Sequence, residues 1–408
     1  MRWLVLRAAP VFNGGRRARC DAPDPTMTPH ARLQLFFLSQ FLSVGMINAY
    51  SGIWFAQRGL SAFEIGVIGA APVAALLAIT LTVGRIADLA RDWKHVIVAG
   101  AWAAGLLPFG LYLAQGFWSV LLCWTLLAVA QRVIVPVADA AAIRMARRQG
   151  FEFGALRGLG TLGYLTVVVV AGYAMGDGGV ALFLPLFVAL GLLRAVAALG
   201  LPPLRAPEDR LRDRSGVPPF RSVLTPALVL PMAGWAAVNA SHVVLNAFQG
   251  LLWAEQGIQT EIIGLLIALG ALAETVMFFR FRRVAQRFAP LTLLLIAAGT
   301  AVLRWVAMAF EPGVALLVPL QVLHAVSYAM GFLACTNFIA DSTGEDHAAQ
   351  AQSFQVVMEL AITIVILLVF GWLAGDLGAQ AYLASAVLAA GGGLCIWVAR
   401  RAPAARPI

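Results

Sequence analysis

The sequence predicts an all-α integral membrane protein, with 12 transmembrane helices in two pseudo-symmetric six-helix bundles. Three observations predict it: the composition, a ladder of apolar runs, and a resemblance between the two halves of the chain. Of 408 residues, 61% are hydrophobic and only 12% charged, against about 45–50% and about 25% in soluble domains. That composition excludes a soluble enzyme, a nucleic-acid-binding domain and a disordered chain. A membrane-spanning helix uses about 20 apolar residues, so twelve fit within this length and leave short connections.

The apolar runs fall near 31–56, 62–84, 95–115, 117–143, 153–175, 180–201, 226–254, 260–281, 291–310, 313–340, 349–373 and 379–399. Connections on one side are terse, such as Gln57-Arg58-Gly59, Gln115-Gly116 and Glu255-Gln256-Gly257. Those on the other side carry the arginines. Of the 29 Lys and Arg residues, 26 fall on that face, from the N-terminal tail through Arg194–Arg221 to the residues after Arg400. By the positive-inside rule this face, with both termini, is cytoplasmic. The expectation is therefore a multi-pass protein of the bacterial cytoplasmic (inner) membrane. Its formal charge of +9 orients the chain and is weak evidence for an anionic partner.

The segments divide as 1–30, an N-terminal tail in which Met27 is an alternative start; 31–201, a first bundle; 202–222, a polar linker; 223–400, a second bundle; and 401–408, a tail. Residues 1–26 lack the apolar core of a signal peptide. The bundles resemble each other: Asn48-Ala49-Tyr50-Ser51-Gly52 matches Asn246-Ala247-Phe248-Gln249-Gly250, and at the same offset Gly59 matches Gly257 and Gly66 matches Gly264. Each copy ends a first span and begins a second. Two parallel repeats predict a carrier with its site between bundles near the midplane.

Buried charges carry the functional signal. Arg132, Asp139, Glu274, Arg304 and Glu359 fall inside the spans, with Arg157 near the inner third of one, and His242 and His324 are buried too. An ionisable group at the bilayer centre costs about 2.5–3.5 kcal/mol, so these groups must pair, face water or be neutralised. Arg132 and Asp139 are seven apart, on one helix face, with Pro136 between them to bend the helix. Arg157, across a helical hairpin, is within reach of Asp139. Arginine beside an acid suits a carboxylate-bearing substrate, and the same spacing suits a fixed ion pair. Glu274 stands among apolar neighbours, which fits a carboxyl that takes up and releases a proton. A histidine such as His324 can titrate in the physiological range, and Arg304 can pair with either. Glycines 154, 158, 160 and 163 predict close packing of the fifth span. Four cysteines without metal spacing read as small buried hydrophobes.

Gly84-Arg85-Ile86-Ala87-Asp88, followed by Arg91 and Lys94, resembles the loop signature of the major facilitator superfamily, with Leu89 where a basic residue is usual. Pro136-Val137-Ala138-Asp139 followed by Phe153-Gly154-Ala155-Leu156-Arg157-Gly158 is similar to its phenylpropionic acid permease branch, related to lactose permease and nucleoside/proton symporters. The resemblance covers nearly the whole chain from about residue 30. It implies the major facilitator fold, with Asp139 and Arg157 at substrate-contacting positions and Arg304 and His324 in a proton-coupling network. Ser327 and Gln321 stand where lactose permease has a glutamate and a lysine. Ala273-Glu274, Gln321-Val322-Leu323-His324 and Ser241-His242 look like the phenylpropionate branch, which implies that Glu274 takes the coupling role. Leu245 and Asn246 stand where that branch usually has aromatic residues.

The expected function is proton-coupled symport of a small organic substrate, an aromatic or other carboxylic acid, by alternating access. The alternatives are a proton-coupled exporter and, more remotely, a membrane-embedded enzyme or a non-transporting sensor. Expected substrate contacts are Arg132, Asp139, Arg157, Asn48, Asn246 and His242. Glu274, Arg304, His324 and Glu359 are expected in proton coupling, and Gly84, Asp88 and Arg91 in a gating loop. Asn48 and Asn246 serve equally as packing groups. No catalytic residue, metal or cofactor is expected. Partners are a substrate molecule, a proton and the lipid bilayer. No Walker-type loop is present for ATP, no nucleic acid is expected, and the chain is expected to be monomeric.

Overall fold

In a computed structural model the described residues are 27–89, 92–204, 224–343 and 345–401. The tail before residue 27, residues 90–91, residues 205–223, Gly344 and residues 402–408 lie outside them. Among the described residues every regular element is helical. Among those residues, eleven stretches are long and apolar enough to cross a membrane. The last, Gln350–Arg401, has 52 residues, about 78 Å of helix at 1.5 Å per residue. That is more than twice the hydrocarbon thickness of about 30 Å, and a tight turn at Gly378–Ala381 divides it into two helices, each long enough to cross.

The helices are α1 (Pro29–Gln57), α2 (Ala62–Leu89), α3 (Trp93–Leu113), α4 (Gly116–Gln149), α5 (Phe153–Gly178) and α6 (Phe183–Leu199). After the linker come α7 (Pro226–Glu255), α8 (Thr260–Ala285), α9 (Pro290–Ala309), α10 (Val314–Ser342), α11 (Glu345–Leu377) and α12 (Tyr382–Arg401). Helix starts carry the caps their sequences offer. Thr28 accepts from the Ala31 amide, 3.2 Å, ahead of Pro29. Ser61 and Glu64 cap each other's amides at the start of α2. Asp92 caps α3 through the Lys94 amide and also accepts from the Leu204 amide, which ties the end of α6 to the start of α3.

Two spans are not uniform α-helix. α7 widens to a π-turn at Leu245–Gln249, and α10 does so at Ala325–Met330. Such turns concentrate at functional positions. α3 likewise tightens at Leu107–Phe109, around Pro108, before its last turn.

α1 packs on α5 and α6, α3 on α4 and α6, and α2 on α4. In the second half α12 packs on α7 and α9, and α8 on α10. The halves meet through α1 with α7, α2 with α11 and α5 with α8. The 198-residue offset is visible in three dimensions. Gly59 and Gly257 end the first helix of each half in the left-handed region, at φ 79° and 80°, where glycine carries no Cβ penalty. A β-carbon on Gly52 would run into the Ala247 carbonyl, and one on its repeat mate Gly250 into the Ala49 carbonyl. Gly66 lies against Leu367 and Gly371, and its mate Gly264 against Val168. These contacts form a seam near the short-loop ends of the helices; Gly264 rests there against a bond within the first half, the Tyr50 hydroxyl of α1 donating to the Val168 carbonyl of α5.

Two expectations need correction. The sequence groups Arg194 with the arginine-rich connections, but it lies within α6 and is 1% exposed, its Nη1 donating to Gln40 at 3.4 Å. A guanidinium one turn inside a helix is held there by a polar neighbour on α1. Close packing of α5 holds for only two of the four glycines singled out in the sequence. Gly160 and Gly163 lie against Phe41 and Leu38 of α1, while a β-carbon on Gly154 or Gly158 would meet nothing within 4 Å.

Candidate functional site

Between the halves lies a cavity of about 310 Å³, at the lower end of the range for small-molecule sites. Its walls come from α1, α2, α4, α5, α7 and α11. It runs from the seam toward the arginine-rich ends of the helices, as far as Phe36, Asp139 and Arg157. Phe36, Phe37, Phe41, Phe55 and Trp124 supply aromatic surface. Of the residues expected at the substrate, Asn48, Arg132, Asp139, Arg157 and Asn246 all line it.

The helices explain this convergence. Arg132 and Asp139 stand two turns apart on the inner face of α4, and the α4–α5 hairpin brings Arg157 opposite. Arg157 Nη1 lies 3.1 Å from Asp139 Oδ1, with 42% and 28% of the two side chains exposed. The guanidinium also sits over the Phe41 ring, 4.7 Å from its centre. An ion pair this open holds about 1 kcal/mol or less, so a ligand carboxylate can replace Asp139 at Arg157. Arg132 is exposed to the cavity in mid-helix. No carboxylate pairs with it among the described residues. Asn246 sits in the π-turn of α7, and Asn48 shares a side-chain hydrogen bond with Tyr164 of α5.

The remaining charges gather in the second half and do not line this cavity. Arg304, fully buried, donates from Nε to the Leu320 carbonyl (2.8 Å), and from Nη1 to Ser327 Oγ (2.9 Å) and His324 Nδ1 (3.0 Å). Its Nη2 reaches Gln321 Oε1 at 3.4 Å. His324 Nε2 lies 2.7 Å from Glu274 Oε1.

Donor chemistry orients the network. Arginine only donates, so His324 Nδ1 accepts, and the ring's single proton sits on Nε2, pointing at Glu274. His242 Nδ1 lies 2.8 Å from the Val238 carbonyl, which only accepts, so that nitrogen carries the proton. Its Nε2, 3.0 Å from Ser327 Oγ, then accepts from the serine hydroxyl. Arg304, Ser327, the two histidines and Glu274 are thus one hydrogen-bonded chain between α7 and α8, with the donors running outward from Arg304 to both ends.

His242 is expected from the sequence at the substrate; the structure instead places it in this chain, held by Val238 and Ser327. The arginine-rich cavity and the Glu274–His324 pair are neighbouring sites, not one chamber. Glu359, on α11, is bound by Gln355 (3.0 Å) and Asn239 and belongs to neither hydrogen-bonded set. Gly84 and Asp88 lie in α2 with side chains outside the described set, and Arg91 is outside the described residues.

Several participants carry no charge to betray them. Ser327 and Gln321 complete the bonds of Arg304, the Trp305 indole donates to Ser241 at 3.0 Å, and Gln40 and Gln131 are buried beside the cavity. In the sequence Ser327 and Gln321 stand out only for what they replace; what they bond is not legible there.

The profile of the MFS_1 like family matches residues 30–366, the same helical ladder that surrounds this cavity. The chain belongs to the major facilitator superfamily. It is a multi-pass membrane transporter. It is 29% identical to the maltose permease of Geobacillus stearothermophilus over 68% of this chain and 70% of that one. It is 24% identical to a "Probable 3-phenylpropionic acid transporter" of Escherichia coli (strain K12), over 88% and 94%. Its fold matches the crystal structure of the nucleoside transporter NupG with a TM-score of 0.81 at 16% identity, covering 92% of this chain and 100% of that one. A bacterial homologue of the human lysosomal transporter Spinster, inward-facing and unoccupied, matches at 0.71, with 15% identity over 91% and 96%. At these identities the structures establish the fold alone.

Proposed function

We propose that this superfamily member is a proton-coupled symporter of small organic carboxylates, with aromatic acids preferred, working by alternating access. The observation that carries the reading is Arg132: a guanidinium on an aromatic cavity wall, without a carboxylate partner among the described residues. A carboxylate satisfies it bidentately, while Phe36, Phe37, Phe41 and Trp124 take up an aromatic body. Arg157 leaves Asp139 to share the anion, and Glu274, at one end of the hydrogen-bonded chain, supplies the proton site. Neutralising Glu274 lowers the cost of closing the protein around it, so substrate and proton cross together.

With the arginine-rich face cytoplasmic, the glycine seam closes the outer side, and the cavity belongs to an inward-facing state in the inner membrane. The similarity to maltose permease supports a second reading, a neutral sugar held by Asn48, Asn246 and Asp139. The test is uptake of labelled 3-phenylpropionate, benzoate and maltose into proteoliposomes under an imposed pH gradient. Accumulation of the acids, abolished by Glu274→Gln while counterflow persists, is the expected result. Accumulation of maltose alone rejects the carboxylate, and uphill uptake by the Glu274→Gln protein rejects the coupling role. Extrusion against the gradient turns the direction to export.

A further inference from the structure

Two buried amides border the cavity with polar atoms left over. Gln131, beside Arg132 on α4, is 4% exposed and lines the cavity, and neither its Nε2 nor its Oε1 has a hydrogen-bond partner among the described residues. Gln40, on α1, is 5% exposed and lines it too. Its Oε1 accepts from Arg194 Nη1, and its Nε2 has no partner among those residues. Buried polar atoms are nearly always bonded, and one left unmet is destabilising. Three such atoms around one cavity mark a place where a ligand supplies what the protein does not.

Arg194 fixes the orientation of the first amide. Arginine only donates, so the Gln40 oxygen faces the guanidinium and the NH2 group faces away from it. The guanidinium is buried, has no carboxylate partner among the described residues, and its Nε is unbonded there. A cation in so dry a place polarises the amide it touches and strengthens the far N–H groups as donors. Helix packing brings Gln131 to the same side of the cavity, the side backed by α3. A β-carbon on Gly100 of α3 would meet Ile134 and the Ala130 carbonyl of α4, and one on Gly105 would meet Gly191 and Ala195 of α6. The chain neighbours of Gln131 and of Arg194 thus touch α3 at points about 7.5 Å apart along its axis.

We propose, on the carboxylate reading above, that Gln40 and Gln131 form a second subsite that takes a hydroxyl group on the substrate's aromatic ring, so that the preferred substrates are hydroxylated aryl carboxylates. A hydroxyl both accepts and donates. Its oxygen accepts from Gln40 Nε2, and its O–H donates to Gln131 Oε1. A second carboxylate offers no donor to Gln131 Oε1, and a methyl group offers nothing to either amide. An unsubstituted ring leaves both amides buried and unpaired, which is how a site discriminates against an analogue that lacks one hydroxyl.

The experiment is titration calorimetry on the detergent-solubilised full chain at pH 7, where a phenol is neutral. The ligands are 3-phenylpropionate, its 3- and 4-hydroxyphenyl derivatives, and the methyl derivatives at the same ring positions. The wild type is expected to bind the better phenol at least about tenfold more tightly than 3-phenylpropionate, and neither methyl derivative more than about twofold more tightly. Gln131→Met, which keeps the length of the side chain without its amide, is expected to bring the phenol preference below about threefold. It does so by weakening the phenol, while 3-phenylpropionate binds within about threefold of the wild type or more tightly, and Tm does not fall. Equal loss of affinity for both acids in Gln131→Met overturns the subsite, since a structural group acts on both alike. A methyl derivative that gains as much as the phenol overturns it too, because space rather than hydrogen bonding then decides. Should Gln131→Met fail to fold, the wild-type ratios of phenol to methyl and to unsubstituted acid decide alone. Binding of 3-phenylpropionate without preference for the phenol overturns this inference and leaves the carboxylate reading standing. Binding of none of these acids overturns that reading, and this inference with it.

Discussion

Arg157 and Arg304 are both arginines inside the membrane span, and their surroundings are opposite. Arg157 pairs with one carboxylate, lies over one ring and faces an open cavity with 42% of its side chain exposed. Arg304 is fully buried, and its guanidinium reaches a backbone carbonyl, a serine, a histidine and a glutamine. The first can exchange its partner for a ligand without exposing an unmet charge to lipid. The second cannot, because each of its acceptors would be stranded in a dry interior. Residue type therefore says little about role here. The number of bonds already made, and access to water, decide it.

Removing Arg304 is the severest way to test this contrast. Arg304→Ala strands His324, Ser327 and the Leu320 carbonyl, and breaking a buried charge network costs about 3–5 kcal/mol. The expected outcome is loss of a monodisperse, folded protein on size exclusion, or a Tm lowered by many degrees. Arg304→Lys, with three donors on a point charge in place of a planar fork, should recover part of that loss.

Arg132→Gln attacks the open side. It should leave Tm within about 2 °C of the wild type, since no carboxylate among the described residues pairs with Arg132, and weaken 3-phenylpropionate binding. Charge-assisted hydrogen bonds are worth about 1.5–3 kcal/mol, so titration calorimetry should show Kd raised about 10- to 100-fold. Equal Kd values would remove the anion from this cavity.

A smaller effect is expected from Ser327→Ala. Arg304 keeps its other acceptors while His242 loses its one side-chain donor, so thermal melts should show a cost of about 1–2 kcal/mol and 3-phenylpropionate affinity should stay within about threefold. Asp139→Asn should do least. The amide oxygen still accepts from Arg157, and an exposed pair holds about 1 kcal/mol or less. Tm is expected to move by no more than about 2 °C and Kd by less than about threefold. A Tm loss as large as that of Arg304→Ala would show that the Asp139–Arg157 pair is a structural lock.

Much of this is legible in the sequence because charge in lipid is costly and therefore conspicuous. The cost singles out Arg132, Asp139, Arg157, Glu274 and Arg304, and helix periodicity with one hairpin suffices to pair Asp139 with Arg157. Which buried group meets which across separate helices is not legible. His242 and Arg304 lie 62 positions apart and share Ser327 only because α7, α9 and α10 converge. Neutral residues leave no such trace: Phe36, Phe55 and Trp124 sit in apolar runs where an aromatic is ordinary. Nor does any local pattern mark the widened turns at Leu245–Gln249 and Ala325–Met330, whose positions follow from packing. Arg194 shows the reverse error, a basic residue near a span end that reads as part of a connection while Gln40 holds it inside.

The glycine seam has a mechanical consequence. Where Gly52, Gly66, Gly250 and Gly264 let one backbone rest on another, the halves adhere almost wholly by dispersion, which falls away within about an ångström of separation and has no preferred direction. Such a joint behaves like a latch without a bolt: firm when shut, yet able to part and to reclose without searching for a register.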